Sequence, residues 1–161
     1  MRPLKGHKGL DLPLLTVSTR TLNILAAVVW HVGGLVLLLK GGSLLAEADL
    51  LAPSRHWPWS AALAALLIGS IKARFLFNPS CRKNLARIAA LDHPKIWQFF
   101  RPGFFGFLTL MIFAGAALSR LAHGNYGALI AVAVIDLSIA TALLGSSYIF
   151  WQQKALSPSS N

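Results

Sequence analysis

Acid is scarce in this sequence. Five carboxylates stand against fifteen Lys and Arg residues, for a formal charge of +10 over 161 residues, and so little acid leaves few groups for proton-transfer chemistry. A single cysteine, Cys81, excludes an intrachain disulfide and fits a reducing compartment; one thiol alone is neither a metal site nor a redox pair. Also missing are a Gly-x-Ser-x-Gly elbow, a His-Glu-x-x-His pair, a cysteine pair and a carboxylate dyad within an apolar run. The usual intramembrane and lipid-modifying chemistries therefore lack their residues, and a non-enzymatic protein is expected. Charged residues of both signs make up only 12% of the chain against 55% apolar, with a mean hydropathy of +0.61. That composition leaves too little polar surface to coat a water-soluble domain of this size.

What the chain does have is long apolar runs. Leu22 to Leu39, Trp57 to Phe77, Gly103 to Leu121 and Ala128 to Trp151 each approach or exceed the roughly 20 residues that cross about 30 Å of hydrocarbon. The expected fold is an all-α integral membrane protein with four transmembrane helices in a single domain. A leader of residues 1–20 precedes the bundle, a basic loop of residues 78–102 divides it, and residues 152–161 form a tail. Ala46-Glu47-Ala48 imitates a signal-cleavage site. The preceding run, however, is longer than the roughly 7–15 residues of a signal core, and Lys40 interrupts it, so the first segment reads as a retained helix.

The positive charge is sorted by loop. Arg2, Lys5, Lys8 and Arg20 precede the first run, Lys72, Arg74, Arg82, Lys83, Arg87, Lys95 and Arg101 surround the central loop, and Lys154 follows the last run. Only Lys40, Arg55 and Arg120 remain for the other side. Short loops rich in Lys and Arg stay cytoplasmic, so both termini are expected inside, in a bacterial-type inner membrane. No recognition motif accompanies the charge, and nucleic acid is not expected as a partner.

Local punctuation refines this outline. Gly41-Gly42-Ser43 is read as the end of the first helix, with an outer loop running to Pro58, and Trp57, Trp59, Tyr148 and Trp151 mark membrane boundaries. In the central loop, Asn78-Pro79 suggests a cap, and Arg82 to Leu91 a short amphipathic helix on the inner leaflet with Leu85, Ile88 and Ala89 on one face. Pro94 would stop it, and Ile96, Trp97, Phe99 and Phe100 would anchor at the interface. The cations of this loop either bind anionic lipids or a partner, or only set the topology. Abundant small residues, among them Gly33, Gly34, Gly69, Gly115 and Gly145, favour close helix packing and an oligomer. Leu67-Ile68-Gly69-Ser70 resembles Leu143-Leu144-Gly145-Ser146, as a duplicated hairpin would.

Ionisable residues far from an interface are the functional candidates. Asp136 lies near the centre of the fourth run and His31 near the centre of the first, so they are expected to pair, with Ser70, Thr109, Ser138 and Thr141 completing a polar path. Such a midplane site serves either proton or ion coupling or a structural hydrogen bond. The expected role is accordingly a small transporter or channel-like protein, or an accessory subunit of a membrane complex, without cofactor or metal. The alternative is a haem b electron-transfer subunit. Trp30-His31-Val32-Gly33-Gly34 is similar to the first helices of copper-resistance and haem-related four-helix membrane proteins, a resemblance that implies His31 as an iron ligand, its second ligand coming from another copy.

Overall fold

The computed structural model describes residues 18–91, 95 and 100–150, less the side chains of Pro102 and Phe107. The expectations for the leader up to residue 17, for Pro94, Ile96, Trp97, Phe99 and Trp151, and for the tail with Lys154 lie outside the described residues. Every element among the described residues is helical: α1 (Thr19–Leu51), α2 (Trp57–Lys72), a π turn (Ala73–Phe77), α3 (Asn78–Ala89), α4 (Pro102–Ala122) and α5 (Tyr126–Ser146). Four stretches, Thr19–Leu51, Trp57–Ala89, Gly103–Ala122 and Tyr126–Phe150, are long and apolar enough to cross a membrane.

Two of these helices are longer than the apolar runs suggested. Ser18 caps α1 by accepting the Thr21 amide at 3.2 Å, and the helix then continues without interruption for 33 residues, about 50 Å, to Leu51. Gly41-Gly42-Ser43 does not end it. A methyl group at Gly41 would meet Leu137 Cγ at 2.7 Å, so this glycine lets a neighbouring helix approach. The buried stripe continues beyond it through Leu44 and Ala48.

Pro79 likewise fails to break the second long helix. Proline lacks the amide that would reach back four residues and crowds the carbonyl there. The wider π turn directly before it absorbs the misfit, with the Asn78 amide reaching five residues back to the Ala73 carbonyl. α2, the π turn and α3 therefore form one helix from Trp57 to Ala89, where sequence suggested a span and a separate surface helix. Asn78 is not a cap. Nor is the apolar face of α3 left for lipid: Cys81, Leu85 and Ile88 are buried, Cys81 and Leu85 with Ala26, Ala27 and Trp30 of α1 and Ile149 and Phe150, while Ala89 is exposed.

α5 is the axis of the bundle. It carries buried residues on all sides, from Leu129 to Ser146, as expected of a helix that is apolar all round. α1 runs antiparallel to it: Trp30 meets Ser146, and ten residues later Lys40 meets Asp136. α2 runs parallel to it, with Gly69 against Thr141 and Ala73 against Gly145. The tightest contact is at Gly69, where a methyl group would lie 2.5 Å from Thr141 Cβ and 2.6 Å from the Ser138 carbonyl oxygen. α4 is the outlier. Of its described side chains only Ala122 is buried, and its main neighbour is α5. A duplicated hairpin would set α4 against α2 as α1 lies against α5, and α4 does not pack that way.

The two ends of the bundle differ. At one, α1 begins, α3 projects and α4 starts; Trp30 there stacks on Phe100 and Phe104 and meets Phe77 and Phe150 edge-on, all with ring centroids within 6.2 Å. This is the basic end. At the other, the Glu47 carboxylate on α1 takes the His123 ring at 2.6 Å and the Gly124 amide at 3.3 Å, fixing the turn between α4 and α5.

Candidate functional site

The register between α1 and α5 decides which polar residues meet. His31 follows Trp30 and therefore lies at the level of Gly145, nine residues and about 13 Å along the axis from the level of Lys40 and Asp136. Its ring Nδ1 donates to the Ala27 carbonyl of its own helix at 2.8 Å. The side chain that reaches Asp136 is Lys40, with Nζ 3.0 Å from Oδ2. A helix end at Gly41-Gly42-Ser43 would put Lys40 on the opposite face. With three more turns added to α1, Lys40 falls within the helix.

Asp136 is 4% exposed, and the ammonium approaches Oδ2 outside hydrogen-bonding angles, so the contact is chiefly coulombic. The same ammonium donates to the carbonyl oxygen of Gly115 in α4 at 2.8 Å. A methyl group at Gly115 would lie 3.4 Å from Nζ, so the ammonium sits close against the α4 backbone. One lysine thus joins three helices: it projects from α1, neutralises a carboxylate on α5 and holds the otherwise lightly packed α4.

A second lysine converges on the same stretch of α5. Lys72 Nζ donates to Ser138 Oγ at 3.1 Å, and Ser138 passes its own proton to the Ile135 carbonyl at 2.9 Å. Lys72 is the last residue of α2, near the basic end of the bundle. Helical side chains lean toward the helix N-terminus, however, and α2 starts at the far end, so the ammonium is directed back toward the middle. Lys40 leans the opposite way for the same reason. Two lysines on antiparallel helices are thereby brought to Asp136 and Ser138, two residues apart on one helix.

The remaining expected site residues divide. Thr141 donates to the Leu137 carbonyl and Ser70 to the Leu66 carbonyl, each within its own helix. Both line a groove of about 780 Å³ at the basic end, with Arg74, Asn78, Arg82 and Tyr148. Thr109 is exposed on α4. Among the loop cations, Lys83, Lys95 and Arg101 are exposed and Arg87 donates to Asn84 at 3.1 Å. Trp30 is the other residue that sequence reasoning passed over as a polar contact; its indole donates to Ser146 Oγ at 2.9 Å in the buried interior. Among the described residues no three His, Cys, Asp or Glu side chains converge as a metal site would require. No family model, no curated protein and no solved structure matches this chain.

Proposed function

We propose that this chain is a non-enzymatic multi-pass membrane protein, with both termini on the cytoplasmic side of a bacterial-type inner membrane, and that it works as a small transporter whose coupling group is the Lys40–Asp136 pair. The observation that carries this reading is the ion pair itself, an ionisable couple held among apolar helices with one member also gripping α4. An intramembrane charge is costly, by about 2.5–3.5 kcal/mol on insertion scales, and its presence marks ion pathways and proton relays more often than packing. A proton arriving at Asp136 would cancel the partner of Lys40. The ammonium would then keep only the Gly115 carbonyl, and its hold on the middle of α4 would loosen. The loop charges support this orientation, since Lys and Arg are concentrated in residues 74–101 between the second and third spans.

The test is proton flux into proteoliposomes carrying a pH-sensitive dye. Wild-type protein should acidify the lumen above the rate of empty vesicles, and Asp136→Asn and Lys40→Met should abolish the difference while still inserting. Wild-type vesicles no leakier than empty ones would refute transport of protons. The accessory-subunit reading would then stand, supported by the broad apolar face of α4, where Leu110, Ile112 and Phe113 are exposed. An absorption spectrum of the purified protein tests the haem alternative: a Soret band lost in His31→Ala would replace both.

A further inference from the structure

Toward the basic end from Gly69, beside the contact of Ala73 with Gly145, a groove opens along α2 and α5 with Ala73, Pro79 and Gly145 in its lining. Two cations stand on one wall. Arg74 and Arg82 are eight residues apart with Asn78 midway, and over eight residues a regular α-helix would drift by about 80°. The wider π turn between them offsets part of that drift, and all three side chains line the same groove. Among the described residues neither arginine has a carboxylate within ion-pairing distance.

The groove also holds acceptors. Asn78 Oδ1 is buried and accepts no hydrogen bond among the described residues, while the amide nitrogen of the same side chain donates only weakly, at 3.5 Å, to Tyr148 Oη. Ser70 and Thr141 direct their protons to their own backbones and present lone pairs. A ligand that satisfies this lining carries a negative charge for two guanidinium groups and, close beside it, hydroxyl or ammonium donors for Asn78 and the hydroxyl oxygens. A phosphodiester bearing a polyol or amine is such a group. Ile71, Phe75 and Leu76, next along the helix from Ser70 and Arg74, are exposed and apolar, a surface suited to acyl chains.

We infer that this groove is a binding site for the headgroup of an anionic glycerophospholipid, with Arg74 and Arg82 on the phosphate and Asn78 on a headgroup donor. The inference rests on the chain lying in a bilayer, and it is independent of whether Lys40 and Asp136 move protons. Each cation near an anionic leaflet contributes about a fivefold gain in affinity, so removing both arginines should weaken binding by about 25-fold. The measurement is native mass spectrometry of the purified protein titrated with phosphatidylglycerol, with phosphatidylcholine and inorganic phosphate as separate arms. Wild-type protein should retain phosphatidylglycerol in preference to phosphatidylcholine. Arg74→Gln/Arg82→Gln should lose that preference, and Lys83→Gln/Arg101→Gln, which removes two exposed cations outside the groove, should keep it. Equal losses in the two variants would show attraction to the basic surface as a whole and overturn the site. Displacement of the lipid by millimolar inorganic phosphate would also overturn it, in favour of a soluble phosphate. Should the double variant fail to fold, Asn78→Leu reads the same groove without a charge change, and unchanged selectivity in that variant would refute the role of Asn78.

Discussion

Removing the two ends of the Lys40–Asp136 pair should not be equivalent. At 3.0 Å, two unit charges attract by roughly 5–6 kcal/mol at an effective dielectric of about 20, an attraction opposed by the cost of taking both from water. Lys40→Met leaves Asp136, with a side chain only 6% exposed, buried without its partner, and a cost of about 3–5 kcal/mol is expected. Asp136→Leu leaves a lysine whose side chain is 25% exposed and which keeps its bond to the Gly115 carbonyl, so its cost should be lower, about 1–3 kcal/mol. The double variant Lys40→Met/Asp136→Leu removes both charges and should return to within about 1 kcal/mol of wild type, or exceed it. Reversible unfolding of the four proteins in mixed micelles, read by circular dichroism against detergent composition, closes the cycle. Additive losses, or a Lys40→Met variant as stable as wild type, would refute the reasoning.

Three further outcomes follow from packing. Gly69→Ala should cost about 1–3 kcal/mol because the added methyl meets backbone at 2.6 Å, whereas Gly42→Ala, with nothing within 4 Å, should be neutral or slightly stabilising; thermal denaturation of the pair measures the contrast. Trp30→Phe keeps one aromatic ring but removes the bond to Ser146 and leaves a void in the buried cluster, and a loss of about 2–3 kcal/mol should appear in the same assay. Cys81, 1% exposed, should resist maleimide labelling in native protein and react fully once the chain is unfolded by detergent.

The four apolar helices were legible in the sequence because hydropathy and length act residue by residue. Their ends were not. Gly41 and Pro79 are breakers in water, but Gly41 here serves close contact with Leu137, and Pro79 is accommodated by a π turn. Each misreading shortened a helix, and the first also displaced the site. With α1 taken to stop at Leu39, His31 fell at its centre and Lys40 at its edge; with α1 running to Leu51, Lys40 faces Asp136. Asp136 itself could be picked out as the one acid within an apolar run. A signal for its partner was present in the spacing of Gly34, Gly41, Leu44 and Ala48, which continue one helical stripe past the glycines. The inward lean of Lys72 was legible, since a side chain near the C-terminal end of a helix points back toward its N-terminus, but its partner Ser138 depends on how α2 packs against α5.

The contact at Gly69 also determines what kind of motion this bundle allows. With helix backbone and Thr141 pressed against a residue that has no side chain, lengthwise sliding would drive the neighbouring side chains of α2 into α5, whereas a small rocking about Gly69 as a fulcrum would not. Arg82 lies thirteen residues, about 20 Å, along the lever arm, so a 5° tilt would move it by about 1.7 Å. The groove at the basic end is the open side of that lever, and anything lodged in it acts as a wedge.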